Sequence, residues 1–275
     1  MTDKYAVIGN PIGHTKSPLI HSTFAKQTGQ DIAYSVIEGP LDGFRQAVDS
    51  FRAEGGRGLN VTAPFKLDAF AYATDLTEQA QVAGAVNALK FEGDRVLAQN
   101  FDGIGLVRDI VHNLGFSIEG RRVLLLGAGG AARGALLPIL AQKPAKLLIV
   151  NRTESKAYAL AEQFSDFGDL SASSYLELGA SPSVFDVVIN ATSASLRGEL
   201  PPVHTDVFSP NGLAYELVYG KGLTPFLRLA QGAGVRHLVD GVGMLVEQAA
   251  EAFAWWRGER PDTRSVIKTL TVPLV

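Results

Sequence analysis

Short apolar runs rich in Val, Ile and Leu recur along this chain, and segments with helical character separate them. In the first half they fall at residues 5–8, 59–62, 86–89 and 96–99, with helices expected to begin near Ser17, Leu41 and Asp75. In the second half they fall at residues 123–126, 147–150, 186–189 and 213–215. The runs of the second half are almost continuously apolar, which is typical of central parallel strands that helices cover on both faces. The pattern predicts an α/β fold built mainly from parallel sheet.

A change of pattern near residues 100–103 divides the chain. There the strand-like run at 96–99 gives way to a helical stretch at 105–114. Near the other end, residues 243–257 have apolar positions at helical spacing and no strand after them, which predicts a long packing helix. A chain of 275 residues is long enough for two ordinary domains. We therefore expect two domains, with a boundary at residues 100–103.

Composition and charge exclude several classes of function. The chain has 25 Lys and Arg against 28 Asp and Glu, a net charge of -3, and no basic footprint for nucleic acid or an anionic membrane. It has no cysteine, which excludes disulfides, thiolate catalysis and cysteine-ligated metals, and its 5 histidines are scattered without metal-ligand spacing. We therefore expect no metal site. No segment has the pattern of a signal peptide or of a membrane span, so we expect a cytoplasmic protein.

The clearest local motif follows the apolar run at 123–126. Gly127-Ala128-Gly129-Gly130-Ala131-Ala132 has the spacing G-x-G-x-x-A and opens a helical segment. In a dinucleotide-binding turn the first glycine permits the tight turn and the second lets backbone N–H groups approach the pyrophosphate. The small third residue lets helix and strand pack closely. Glycines in such a turn can be purely structural, but the strand before, the helix after and the spacing favour a nucleotide site.

The end of the next apolar run favours NADP over NAD. An NAD enzyme usually carries Asp or Glu there, about 20 residues past the glycines, to bind the ribose 2′-hydroxyl. This chain has Asn151, Arg152 and Thr153, with Lys156 one helical turn on. Those side chains offer positive charge and hydroxyl donors that suit a 2′-phosphate. The alternative is a solvated helix start with Thr153 as its N-cap, which would leave the missing acid unexplained.

Polar side chains follow the strand-like runs of the first half, where ligands of an open α/β sheet bind. They are hydroxyls, an amide, one lysine and one carboxylate: Thr15, Ser17, Thr62, Lys66, Asn87 and Asp102. This chemistry suits a small polyhydroxylated substrate that can itself be anionic, and it does not suit an apolar ligand.

Each of these residues also has a structural interpretation. Ser17 before Pro18 has the pattern of a helix N-cap with proline at the first helical position. Asn87 could satisfy backbone groups, and Asp102 before Gly103 is a good turn residue. Taken singly, most favour a structural role. Taken together, at successive strand ends in a chain that also has a nucleotide turn, they favour a functional one.

The sequence resembles the shikimate dehydrogenase family over essentially its whole length, with the matching motifs in the right order. The motifs are "GNPIGHTKSP" (9–18), "NVTAPFK" (60–66), "GAVNAL" (84–89), "NFDGIG" (100–105), "GAGGAARG" (127–134), "NRT" (151–153), "NATS" (190–193), "YGKGLTPFL" (219–227) and "DGVGMLVEQAAEAF" (240–253). The first two and the last are far more distinctive than the glycine turn.

The resemblance implies a two-domain enzyme that reversibly reduces 3-dehydroshikimate to shikimate with NADPH, in aromatic amino-acid biosynthesis. Residues 1–101 and 242–275 would form a substrate-binding α/β domain with a mainly parallel sheet, and residues 102–241 a Rossmann NADP-binding domain. Lys66 and Asp102 would be the catalytic pair. Substrate would be held by these two and by Thr15, Ser17, Thr62, Asn87, Tyr219 and Gln248. NADP would contact Gly127, Ala128, Gly129, Gly130, Ala131, Asn151, Arg152, Thr153, Lys156, Ser193, Leu217 and Gly241.

Ketone reduction needs a proton at the carbonyl oxygen, and our hypothesis assigns that proton to Lys66, oriented by Asp102. Monomer and homodimer both stay open. One rival interpretation is an enzyme of the same family that also acts on quinate or uses NAD. Another is an NADPH-binding sensor without turnover, which need not have kept Lys66 and Asp102.

Five positions depart from the pattern that is usual in the family. Thr15 stands where serine is common, and Phe101 replaces the usual threonine before Asp102. Glu216-Leu217 replaces the more usual Asp-Met, and Ser195 stands where glycine often follows "NATS". None of them removes a proposed catalytic group, but Phe101 raises a question about the setting of Asp102.

Overall fold

The computed structural model describes residues 2–180 and 183–274. The chain divides into two compact units. The first contains the residues up to Gly105 together with Val246–Lys268, and the second contains Leu106–Leu245 together with the residues from Thr269. The segment from Thr269 therefore groups with the second unit, whereas the sequence-based boundaries place it with the first.

The first unit is built on a six-stranded mixed sheet. Its elements are β1 (Asp3–Gly9), α1 (Ser17–Thr28), β2 (Ile32–Glu38), α2 (Phe44–Ala53), β3 (Gly56–Val61), α3 (Lys66–Tyr72), β4 (Asp75–Leu76), α4 (Glu78–Ala83), β5 (Ala88–Glu92) and β6 (Arg95–Gln99). The strand order is β2-β1-β3-β5-β6-β4. Strand β1 runs parallel to β2 and β3, and β4 runs parallel to β6. Only β5 is antiparallel to its two neighbours, so the expected mainly parallel sheet is confirmed.

The second unit is a sheet with helices between its strands. Helix α5 (Asp102–Arg108) and a π-helical turn (Asp109–Asn113) lead into β7 (Arg122–Leu126), α6 (Gly130–Leu140), β8 (Lys146–Val150), α7 (Glu154–Gln163), β9 (Leu170–Ser173), α8 (Tyr175–Ala180), β10 (Phe185–Asn190), β11 (Phe208–Glu216), α9 (Pro225–Gly232) and β12 (His237–Val239). Helices α10 (Val242–Arg257) and α11 (Arg264–Leu270) follow along the chain, and most of both belongs to the first unit. All neighbouring strands are parallel, in the order β12-β11-β10-β7-β8-β9. This is the dinucleotide-binding order, with its topological switch point between β7 and β10.

The strands that the hydrophobic pattern missed lie at the edges of the two sheets. No strand is expected from the pattern at β2, β9 or β12, and Asp75 is expected to begin a helix, whereas Asp75–Leu76 form the short strand β4 and α4 begins at Glu78. These four strands are the terminal members of the two sheets. The side chains of these edge strands are exposed or only partly buried, so the strands lack the continuous apolar run that identifies a central strand.

The core of the first unit lies on both faces of its sheet. Ala6 and Ile8 of β1 belong to a cluster with buried side chains of α2, α3 and the central strands. Tyr5, which precedes Ala6, belongs to a second cluster with Phe101 and Trp256. Since successive side chains of a strand point to opposite faces, these clusters cover the two sides of β1. No helix in the described ranges is long and apolar enough to cross a membrane.

Candidate active site

Lys66 is placed by the buried loop that precedes it. Thr62 donates its backbone N–H to the carbonyl of Ile8 at 3.0 Å, which ties the end of β3 to β1. The Ala63–Pro64 peptide bond is cis, and Phe65, 1% exposed, anchors the loop in the core immediately before α3 begins. The buried Phe65 therefore fixes the backbone of Lys66 on its amino side, and the Lys66 side chain is not needed for that anchoring.

That side chain pairs with Asp102. The Lys66 Nζ donates a hydrogen bond to the Asp102 Oδ2, and the two side chains are 16% and 8% exposed. The other carboxylate oxygen, Oδ1, accepts a hydrogen bond from Asn87 Nδ2 at 2.8 Å. An ammonium and a carboxylate that are this close and largely shielded from water interact more strongly than an exposed pair would. The arrangement holds the Lys66 amino group against a carboxylate that Asn87 fixes on its other side.

Asn87 connects this pair to the rest of the polar cluster. Its Oδ1 accepts the backbone N–H of Phe101 at 2.8 Å, and its Nδ2 also lies 3.3 Å from the Oε1 of Gln248 on α10. Asn87 is 3% exposed. The structural interpretation of Asn87 thus accounts for its carbonyl oxygen, while its amide group touches two predicted substrate residues. Lys66, Asp102, Asn87 and Gln248 form one connected set.

Asn100 fixes the backbone of Asp102 and is a residue that the sequence argument missed. Its Oδ1 accepts the Asp102 N–H at 3.0 Å, and its Nδ2 donates to the carbonyl of Ala85 at 2.9 Å. Asparagine commonly bonds the N–H two residues ahead, and the spacing Asn-x-Asp at a strand end could have indicated this role.

Phe101 does not disturb the setting of Asp102. Its side chain is 5% exposed and belongs to the aromatic cluster with Tyr5 and Trp256. Its ring meets Trp255 edge to face, with the ring centroids 5.8 Å apart. The Phe101 side chain therefore packs in the core, while its backbone N–H bonds to Asn87.

Thr15 and Ser17 lie side by side at the start of α1. The Thr15 Oγ1 donates to the Ser17 Oγ at 3.1 Å and accepts the Ser17 N–H at 3.2 Å. Lys16, and not Ser17, occupies the N-cap position, and it makes no side-chain cap. The expectation of Ser17 as N-cap is wrong, since Ser17 is already the first helical residue. Its side chain is buried, and its hydroxyl pairs with that of Thr15.

The two other predicted substrate residues, Thr62 and Tyr219, have different surroundings. Thr62 is half-buried, with its methyl group against Gly9, where a Cβ would come within 2.5 Å of it. Tyr219 follows β11 in the second unit, and burial raises the pKa of its phenol. Tyr219 is therefore a neutral hydrogen-bonding group at neutral pH.

Two glycines of the turn in the second unit differ in whether the protein's own packing requires them. Gly127 has φ of 111°, in the left-handed region, and a Cβ there would lie 3.1 Å from the carbonyl of Ala191. Gly129 has ordinary φ, is the N-cap of α6, and a Cβ there would meet no described atom within 4 Å. Packing thus requires glycine at 127 but not at 129. The openness at Gly129 suits close approach of a phosphate to the N-terminus of α6.

The residues after β8 carry positive charge, and no side chain at the N-cap position caps the helix that follows. Thr153 occupies the N-cap position of α7 but makes no side-chain cap, which leaves its hydroxyl available. Arg152 and Lys156 are exposed, and Asn151 Nδ2 donates to the Thr153 carbonyl at 2.9 Å. Arg152 also acts on Tyr175, where burial raises the phenol pKa to about 12 and the guanidinium opposes that rise. The donor set fits the 2′-phosphate of NADP.

The remaining predicted cofactor residues lie past β10, β11 and β12. Ser193 is exposed, and its Oγ accepts from Arg197 at 3.2 Å. Gly241 packs against Leu217, because a Cβ on Gly241 would come within 2.1 Å of the Leu217 carbonyl oxygen. The switch-point strands, the glycine turn and these loops of the second unit together provide the parts of a dinucleotide site. Among the described residues no cluster of three or more acidic or imidazole ligands could hold a metal ion.

Comparisons with known proteins show which family the chain resembles along its length. The family model "Shikimate dehydrogenase substrate binding domain" matches residues 7–89, "Shikimate / quinate 5-dehydrogenase" matches 108–197, and "Shikimate 5'-dehydrogenase C-terminal domain" matches 241–271. The chain is 57% identical to a shikimate dehydrogenase (NADP(+)) from Chromobacterium violaceum, over 98% of each chain. This chain belongs to the shikimate dehydrogenase family.

Solved structures share the fold of this chain. An Ael1 enzyme from Pseudomonas putida is 60% identical and superposes with a TM-score of 0.93 over 100% of both chains. The shikimate 5-dehydrogenase of Thermus thermophilus, solved in complex with NADP(H) and shikimate, is 29% identical with a TM-score of 0.86, over 98% of both chains. Members of this family are therefore oxidoreductases of the expected two-domain architecture.

Proposed function

We propose that this chain is an NADP-dependent oxidoreductase that reversibly reduces 3-dehydroshikimate to shikimate. The observation that carries the proposal is the Lys66–Asp102 pair, held by Asn87 at the carboxyl edge of the first unit's sheet. It supplies the proton donor that ketone reduction needs. The 57% identical relative named for this activity supports the substrate and the cofactor.

In this mechanism Lys66 exchanges a proton with the oxygen of the reacting carbonyl. Asp102 orients the Lys66 ammonium with one oxygen and is itself held by Asn87 on the other. In the reverse direction Lys66 accepts the proton from the substrate hydroxyl. Bound NADPH would supply the hydride.

Substrate recognition is assigned to the hydroxyl and amide groups near this pair. Thr15 and Ser17 are hydroxyl donors for the substrate carboxylate, and Asn87 and Gln248 are amide partners for its ring hydroxyls. Thr62 and Tyr219 complete the proposed set, and the Thr15 methyl group adds bulk that a serine would lack. A site of this composition discriminates by leaving its own buried polar groups unpaired when a substrate hydroxyl is missing.

The cofactor is assigned to the second unit. Gly127, Ala128, Gly129, Gly130 and Ala131 would place backbone N–H groups and the α6 N-terminus against the pyrophosphate. Asn151, Arg152, Thr153 and Lys156 would hold the adenosine 2′-phosphate, and Ser193, Leu217 and Gly241 would line the rest. The first unit, with Gln248 on α10, is accordingly the proposed substrate domain. A cytoplasmic location and a monomer or homodimer complete the proposal.

A spectrophotometric assay tests this function directly. The purified chain with shikimate and NADP⁺ should form NADPH at a rate proportional to enzyme, and quinate and NAD⁺ serve as paired comparisons. Comparable kcat/KM for shikimate and quinate would favour the broader dehydrogenase that one matching family model names. No turnover at high enzyme concentration, with NADPH binding intact, would favour a sensor.

A further inference from the structure

Glu216, at the end of β11, is a completely buried carboxylate that collects four hydrogen bonds. It is 0% exposed. Its Oε2 accepts from the Ser195 Oγ, from Asn190 Nδ2 at 3.0 Å and from Thr224 Oγ1 at 3.1 Å. Its Oε1 accepts the backbone N–H of Val218 at 3.2 Å. A carboxylate this deep is tolerated only because so many donors face it.

The four donors come from two separate loops of the proposed cofactor site. Asn190 ends β10, and Ser195 lies in the turn after it, two residues past Ser193. Val218 and Thr224 flank the loop after β11, next to Leu217, and Thr224 is the N-cap of α9. Ser193 and Leu217 are proposed NADP contacts, one in each loop. Glu216 thus joins the two segments that carry them.

The second loop is held at its other end as well. Asp240, 8% exposed, accepts the N–H of Gly220 at 3.1 Å and that of Val242 at 3.3 Å. Gly241 donates its N–H to the Val218 carbonyl at 3.3 Å. Leu217 itself donates its N–H to the Asn190 carbonyl at 3.0 Å, and the segment that follows it is held by Glu216 at one end and Asp240 at the other.

Glu216 and Ser195 contact each other directly, since the Ser195 hydroxyl donates to the Glu216 carboxylate. Glutamate is longer than aspartate by one methylene, about 1.5 Å. A serine at 195 provides a hydroxyl at the point that the longer carboxylate reaches. A glycine at 195 would leave that oxygen one donor short in a buried place.

We propose that Ser195 and Glu216 form a compensating positioning pair that sets the two cofactor loops for NADP binding. The pair acts through Ser193 and Leu217 and does not itself touch the reacting atoms. The inference rests on the proposed cofactor site. Each residue is needed because the other is present, so changing either alone should be worse than changing both.

The test is a double-mutant cycle read out by NADPH binding. Ser195→Gly and Glu216→Asp are made singly and together, and the NADPH Kd is measured by fluorescence titration without substrate. Each single variant should weaken NADPH binding by about tenfold, because a buried carboxylate loses a partner or its reach. The double variant should recover to within about threefold of the parent. The KM for shikimate should stay within about twofold in all three.

A milder variant guards against loss of folding. Ser195→Ala removes only the hydroxyl, and its matched control is Ser171→Ala on β9, since the Ser171 hydroxyl is buried without a hydrogen-bond partner among the described residues. Ser195→Ala should weaken NADPH binding several-fold and Ser171→Ala should not.

Losses of NADPH affinity that simply add in the Ser195→Gly, Glu216→Asp double variant would overturn the pairing. A lowered Tm with unchanged NADPH Kd would show a merely structural role. Failure of the parent chain to bind NADPH would instead overturn the proposed function.

Discussion

The Lys66 ammonium donates a hydrogen bond to the carboxylate of Asp102, a residue 36 positions further along the chain. Lys66 begins α3 and Asp102 begins α5, so two helix starts at the same sheet edge meet through their side chains. Asn87 holds the second oxygen of Asp102. The pair therefore has a defined geometry before any substrate arrives, which is what a positioned proton donor requires.

Replacing Lys66 by alanine should lower kcat by about 10² to 10⁴, the usual effect of removing a general acid–base group. NADPH affinity, measured by fluorescence titration, should be unchanged because the proposed cofactor residues belong to the second unit and Lys66 to the first. The matched control is Lys90→Ala, which removes a more exposed lysine paired with Glu92 on the same sheet and should keep near-normal turnover. Near-normal kcat in the Lys66 variant would remove that residue from the mechanism.

Arg152→Ala should weaken NADPH binding by about tenfold and leave the weaker NADH binding nearly unchanged, because only NADPH carries a 2′-phosphate. Titration of both cofactors measures this. Arg121→Ala is the control, since Arg121 precedes β7 at the amino end of the sheet and lies 3.8 Å from Asp186. Equal losses for the two cofactors would mean that Arg152 is structural.

Phe101→Thr restores the residue that is usual in the family and should destabilise the chain by about 2 to 4 kcal/mol, because it leaves a cavity among buried aromatic rings. Denaturant unfolding measures the loss, and Phe101→Leu should lose less. Below the unfolding transition kcat should stay close to that of the parent, since the side chain packs in the aromatic cluster. A large loss of kcat in a fully folded Phe101→Thr variant would contradict this.

His21 predicts a specific pH dependence of stability. Its ring is 0% exposed and stacks on Tyr34 with centroids 4.2 Å apart, and neither ring nitrogen has a hydrogen-bond partner in the described part of the chain. Burial lowers the pKa of His21 from 6.5 to about 3, with the Asn60 side chain opposing it in part. The unfolded state therefore binds the proton first. Stability that is fully present above pH 6.5 is lost as the pH falls toward 3.

His21→Phe removes this titration and keeps an aromatic ring for the stack. The free energy of unfolding of the variant, relative to the parent, should rise by about 2 kcal/mol between pH 7 and pH 5. Urea unfolding across that range measures it, and the common contributions of other groups cancel in the difference. A constant difference between the two proteins would mean that His21 binds its proton with the same pKa in the folded and the unfolded chain, as a solvated imidazole would.

Much of the fold was evident from local pattern because the deciding interactions are local. The buried parallel strands at 123–126 and 147–150 read as apolar runs since both of their faces are covered. The glycine turn after Leu126 was recognisable because Gly127 must adopt a left-handed backbone. The edge strands such as β2 and β12 gave no such signal, because exposed and half-buried positions interrupt their apolar residues.

The sequence by itself determined the two-domain α/β class, the nucleotide turn, the preference for a 2′-phosphate and the identity of the polar residues at the strand ends. Only the tertiary structure decided which of them touch: Lys66 with Asp102, Asn87 with Gln248, and Ser195 with Glu216. It also decided that Phe101 serves the core and that Ser17 is not an N-cap. Contacts between residues far apart in sequence depend on how strands and helices stack, and one-dimensional spacing does not encode that packing.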